Sequence, residues 1–247
     1  VMRFALISAS PSVTGSDLMR MAEPMEASMG HVWEAWKGYM PSWSSGSRPS
    51  VMPWDDTPLP TWEGGNVDYL CPVYFTDDLS NSNTLAVHYN QGDRPAARVY
   101  VQAASGLNTG ATSVFESLCH EGAEMMADPW ANMWSPLPGR PGVSVADENA
   151  DPVQDWYAVT VRGTTWRAAN FVTPAWFGRC PGPVDHKGTL QTPGQVGPEG
   201  YLIVRNDATG AVSYEFGPRR DGFSSRQMNA LAHPLSRTGR RFAGVRA

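Results

Sequence analysis

At 247 residues and 26.9 kDa, the chain is long enough for one large domain or two small ones around a real hydrophobic core. With 41% apolar and 17% charged residues it is not of a disordered type, and a formal charge of −5 gives no argument for nucleic-acid binding. Cys71, Cys119 and Cys180 are odd in number and lack zinc-like CxxC spacing, which argues against a disulfide scaffold, and no run approaches the about 20 apolar residues of a membrane span.

In chain order, residues 3–8 read as a buried first strand, since the short apolar start lacks the flanks of a signal peptide. Ser16 or Asp17 is a candidate cap for a helix through about residue 38, with Met21, Met25, Met29, Trp33 and Trp36 as an apolar, core-packing stripe. Residues 41–65 turn to Ser, Pro, Gly and Trp. They read as an ordered covering loop or a contact arm anchored by Trp43, Trp54 and Trp62. Strands are expected at 84–89 and 97–102 across the turn-like Asn90-Gln91-Gly92-Asp93-Arg94-Pro95. A helix follows at about 111–127 and stops before Asp128-Pro129, because the residue before a proline is steered out of the helical region.

The second half reads as short strands and tight turns. Hairpins are expected at 156–162 with 165–170, and at 201–205 with 212–216, separated by a Pro/Gly-rich loop over 181–200. Arginines gather at Arg219, Arg220, Arg226, Arg237, Arg240, Arg241 and Arg246, which reads as a solvated tail or a docking arm onto another protein. With no repeat and no convincing boundary, one domain over 1–247 is the simplest organisation, carrying an interaction loop at 41–65 and a basic tail at 219–247.

The chemistry concentrates in Ser117-Leu118-Cys119-His120-Glu121-Gly122-Ala123-Glu124-Met125-Met126-Ala127-Asp128-Pro129. His120 and Glu124 are four apart, so a helix puts an imidazole nitrogen and a carboxylate oxygen on one face, within reach of one divalent ion. Asp128, four further on, extends that polar row. Glu121 follows the first ligand candidate, the place of the proton-accepting glutamate in HExxH zinc hydrolases; here the order is HExxE. A His plus carboxylate set is compatible with zinc. A second acidic run, Asp147-Glu148-Asn149-Ala150-Asp151-Pro152, offers Glu148 or Asp151 to close a three-ligand set. The plain alternatives are a capped or solvated helix face and a solvent-facing turn.

These segments, with Asp151-Pro152-Val153, Asn170-Phe171-Val172-Thr173-Pro174-Ala175-Trp176-Phe177, Gly182-Pro183-Val184-Asp185-His186 and Ala232-His233-Pro234-Leu235-Ser236-Arg237-Thr238-Gly239-Arg240-Arg241, resemble a family from bacteria and tailed phages. That largely uncharacterised family is regarded as zincin-like and metallopeptidase-like. It carries an HExxE helix ending in Asp-Pro, and the resemblance covers roughly residues 65–241, the segments around Ala86-Val87-His88-Tyr89 and 97–101 included.

The resemblance implies an α/β, zincin-like fold, with a mixed sheet packed on the HExxE helix and long Pro/Gly-rich loops. It implies zinc held by His120, Glu124 and Glu148, with Asp128 and Asp151 as further candidate ligands. Glu121 is the expected base, and His186 is a candidate ligand or transition-state donor. His88, on its strand, is a candidate to line the cleft; for it and for His186 a core or surface histidine is the ordinary alternative, and His233 reads as structural. Two functions follow as expectations. One is metal-assisted hydrolysis of a peptide or other amide bond. The other is a structural virion protein that keeps a metallopeptidase-like fold and contacts neighbouring subunits, located in the virion or otherwise in the cytoplasm. A calcium or structural-metal site from Asp128, Glu148 and Asp151 ranks below both, since EF-hand spacing is absent.

Overall fold

The computed structural model describes residues 2–41, 46–55, 59, 69–77, 85–92, 94–104, 106–108 and 113–218. Trp43, Trp62, the whole 60–68 stretch and the whole basic tail from Arg219 lie outside them, as does the Ala232–Arg241 motif.

The expected α/β arrangement with a mixed sheet is present. The main sheet contains β1 (Met2–Ala9), β2 (Ser50–Pro53), β3 (Tyr69–Thr76), β4 (Ala86–Gln91) and β5 (Arg94–Tyr100), in the order β2-β1-β3-β5-β4. The first four are parallel; β4 returns antiparallel to β5 at the edge, with His88 opposite Ala97. The near-continuous apolar runs of β1 and β3 suit interior strands of such a sheet, where both faces are covered.

Two helices cover the sheet. Helix α1 (Gly15–Trp36) starts in a capping box, in which Thr14 Oγ1 accepts from the Asp17 amide and Asp17 accepts from the Thr14 amide. Its buried face includes Leu18, Met21, Met25, Met29, Val32 and Trp36, and the Trp36 indole N–H donates to Val172 O at 2.9 Å. Trp33 of the expected stripe is only partly buried and lies under Lys37 and Arg48. Helix α2 (Val114–Ala127) is capped by Ser113, whose hydroxyl accepts from the Glu116 amide at 3.1 Å.

Helix α2 packs against α1, β4, β5 and the later strand β9 (Thr164–Ala169). Twelve of its 14 residues are buried, so even its polar side chains lie in the interior. Gly122 allows the close approach of the helices: a Cβ there would lie 2.8 Å from Met29 Sδ and 3.0 Å from Met25 Cε.

A second, antiparallel sheet has the order β11-β10-β7-β6, from β6 (Trp134–Pro136), β7 (Val143–Ala146), β10 (Tyr201–Asn206) and β11 (Val212–Phe216). β8 (Trp156–Val161) and β9 form a hairpin whose turn residues, Arg162 and Gly163, both take positive φ (48° and 78°), as a tight two-residue turn requires. Between β9 and β10 the chain is irregular, and Asp185 organises it. Its Oδ2 accepts from Asn170 Nδ2, the Thr189 amide and the Thr189 hydroxyl, and its Oδ1 accepts from the Leu190 amide. Among the described residues no helix is long and apolar enough to cross a membrane.

Candidate metal centre

Helix periodicity delivers the first part of the site. His120 and Glu124, one turn apart on α2, meet at 3.1 Å between Nε2 and Oε1. The acidic loop after β7 brings Asp151 to the same nitrogen, with Oδ1 at 3.2 Å. That loop is buried throughout 147–151 and is fixed by its backbone. Asn149 O accepts from the Val172 amide, Asp151 O from the Tyr201 amide and Pro152 O from the Gly197 amide. Gly200 makes this seat possible, since a Cβ there would lie 2.0 Å from Pro152 O.

Strand β4 supplies the other part. His88, 1% exposed, points its Nδ1 at Glu121 Oε2 and Glu124 Oε2, each at 3.3 Å, and its Nε2 lies 3.1 Å from Asp128 O. A carbonyl oxygen only accepts, so Nε2 carries a proton and donates to it. Burial alone would lower the His88 pKa, but the carboxylates of Glu148, Glu121 and Glu124 outweigh it and hold the imidazole well above its ordinary value. Glu124 thus joins two imidazoles, one through each oxygen, and two groups able to hold a metal ion share it: His120, Glu124 and Asp151, and His88, Glu121 and Glu124.

The donor set fits a divalent ion. In a tetrahedral zinc site with bonds of about 2.0–2.1 Å, neighbouring ligand atoms lie about 3.3–3.4 Å apart. The imidazole–carboxylate separations here run from 3.1 to 3.3 Å. Glu121, Glu124, Glu148 and Asp151 are all 2% exposed or less, a concentration of negative charge that needs cations or protons to persist in the interior. Asn149, inside the acidic loop, is fully buried with both amide atoms lacking a hydrogen-bond partner among the described residues, the kind of orphan that a bound ion or water satisfies.

The other expected site residues have different surroundings. Asp128 uses its two carboxylate oxygens on the amides of Asn132 and Met133, each at 3.0 Å, and so pins the turn after α2. Glu148 lies on the Nε2 side of His88, at 3.6 Å, and belongs to neither three-atom group. His186 stacks on Phe171 and His31 and meets Tyr157 edge-on. Burial, and then neighbouring His31, lower its pKa, and none of its described ring contacts is with the acidic cluster. Asp147 pairs with Arg179 at 2.7 Å.

His120 is the one partly exposed member of the two groups, with 14% of its side chain accessible. One turn before it, Glu116 meets Arg167 at 3.3 Å, and burial pushes the Glu116 carboxyl up to about 7 against the pull of that guanidinium and of His120. All three cysteines are thiols outside any disulfide; burial raises those of Cys71 and Cys119 to about 12, which makes them inert packing groups.

No protein-family model, curated protein or solved structure matches the chain. A buried His/Glu cluster able to chelate a divalent ion is therefore established by geometry alone.

Proposed function

We propose that this protein is a metal-dependent hydrolase of peptide or other amide bonds, with a zincin-like site centred on α2. The observation that carries the reading is the meeting of His120 Nε2, Glu124 Oε1 and Asp151 Oδ1 at ligand spacing, on the side of the cluster that reaches solvent. Those three residues would hold the ion, zinc by its compatibility with one imidazole and two carboxylates. A divalent ion bound there supplies Lewis acidity toward a carbonyl and acidifies water.

The chain's own residues do the rest. Glu121, next to His120 and held against His88, accepts the proton of the attacking water. Asp151, fixed by the Tyr201 and Gly197 amides around it, keeps its oxygen aimed at His120 while the exposed edge of His120 leaves room for substrate. The HExxE order and the Asp-Pro that ends the helix support the zincin-like assignment, as does the packing of α2 on a mixed sheet with an antiparallel edge strand.

The test is elemental analysis of protein purified without chelator, joined to hydrolysis of a panel of quenched-fluorescence peptides. Zinc should be present and should be lost from this position in His120→Ala and Asp151→Ala. Glu121→Gln should keep the ion at His120 while turnover falls about 100- to 10,000-fold. Glu121→Gln working at the wild-type rate, or metal-free protein that cleaves equally well, would sink the assignment.

A further inference from the structure

We propose that the cluster takes two divalent ions bridged by Glu124: an outer one at His120, Glu124 and Asp151, and an inner one at His88, Glu121 and Glu124. The inference rests on the reading of the outer position as a metal site and adds the inner one to it.

Three observations carry it. The first is the orientation of His88. Its Nε2–H donates to Asp128 O, so in the neutral ring the lone pair is on Nδ1, and Nδ1 faces two carboxylate oxygens at 3.3 Å. Between those oxygens Nδ1 either carries a proton or ligates a cation, and the inner ion takes the proton's place. A backbone carbonyl that fixes the far nitrogen of an imidazole is the usual support of a metal-ligating histidine. The second is the bridge. The two oxygens of Glu124 are divided between the imidazoles, Oε1 toward His120 and Oε2 toward His88, and a bridging carboxylate divides its oxygens in the same way. Hydrolases that use two metals hold them about 3.5–4 Å apart, a spacing that one carboxylate spans.

The third is charge. Glu121, Glu124, Glu148 and Asp151 are carboxylates buried together beside two imidazoles, and a divalent ion at each imidazole offsets that concentration of negative charge.

The two positions differ in access. His88, Glu121 and Glu124 are all buried, whereas the outer group includes the partly exposed His120. The outer ion therefore meets substrate, and the inner one ties β4 to α2 and exchanges slowly. Glu121 gives Oε2 to the inner ion and keeps its other oxygen for the proton.

The experiment is titration of chelator-treated full-length protein with Co²⁺, followed by visible absorption and electron paramagnetic resonance. Wild type should saturate at two equivalents, and His88→Gln and His120→Gln at one each. Saturation at one equivalent that is lost in His120→Gln and unchanged in His88→Gln would overturn the inner site and leave the hydrolase reading standing. No Co²⁺ binding at all would overturn both. Should His88→Gln not fold, the wild-type spectrum decides alone: a signal weakened by exchange through the shared carboxylate supports the pair, and two independent Co²⁺ signals overturn it. Chelator should strip one ion quickly and the second at least ten times more slowly; equal rates would contradict the inner and outer assignment.

Discussion

Two kinds of buried carboxylate lie in this molecule, and they are handled in opposite ways. Asp185 and Asp128 are each 0% exposed, and their oxygens are filled by N–H and O–H donors from nearby backbone and side chains. Such an acid organises a turn, because every lone pair that matters is spent on holding chain segments together. Glu121, Glu124 and Asp151 are as deeply buried, yet each has an imidazole nitrogen within 3.3 Å, with Asp151 also accepting from Gln154 Nε2 at 3.4 Å. The partners of a buried acid, and not its burial, separate an architectural acid from one set to hold a cation.

That contrast is sharpest at Glu124, where the largest effect is expected. Glu124→Gln should abolish saturable divalent-metal binding, a loss greater than the about 10- to 100-fold that follows removal of an outer-shell partner. Isothermal titration with Zn²⁺ measures it, and wild-type affinity in the variant would place the ion elsewhere.

Gly200→Ala tests the seat of Asp151 without touching a ligand. The new Cβ meets the Pro152 carbonyl, a backbone atom that cannot swing aside. The variant should lose about 3–4 kcal/mol in denaturant unfolding and bind metal more weakly.

Asp185→Asn breaks the architectural class. One of the asparagine's two terminal atoms cannot accept, so donors lose their partner, and about 1.5–3 kcal/mol should disappear with metal stoichiometry unchanged. The hydrogen bonds from Asn170, Leu190 and Thr189 outweigh burial and hold the Asp185 pKa below its ordinary value. Its contribution to stability is thus complete above the unfolded value of about 3.9 and is lost as pH falls through the folded one. The wild type should lose stability over that acid range, and Asp185→Asn should lose less of it. Asp128→Asn should behave similarly at about 1–2 kcal/mol; loss of an ion there would move Asp128 into the metal set.

The smallest effect is expected at Gly122. Alanine gains helix propensity of about 1 kcal/mol, while its Cβ displaces only the flexible ends of Met25 and Met29. Gly122→Ala should fall within about 1 kcal/mol of wild type, and Gly122→Leu well below it, by thermal unfolding.

Much of this was legible in the sequence where the determinants are local. Helix spacing put His120, Glu121 and Glu124 together, Pro129 marked where α2 stops, and the hairpin strands followed from alternation about Gly163. Between Glu148 and Asp151 the sequence left the choice open, because it turns on how 147–152 is seated by the amides of Val172, Gly197 and Tyr201, far along the chain. The sequence offers His88 as a cleft-lining, core or surface histidine and not as a ligand for the same reason: no spacing links position 88 to 121, and only the antiparallel return of β4 beside α2 joins them. The signal that was available is a lone histidine in an apolar edge strand, at Ala86-Val87-His88. β2 falls inside the loop expected at 41–65, since four residues ending in proline show no period, and β3 lies outside the expected strands because Pro72 interrupts a run without alternation.

The most direct test is anomalous diffraction at the zinc edge from crystals of protein purified without chelator. A peak bounded by His120 Nε2, Glu124 Oε1 and Asp151 Oδ1 is expected, with a second between His88 Nδ1 and Glu121. Density without a peak at either place, with His120 hydrogen-bonded directly to Glu124 and Asp151, would contradict the metal centre.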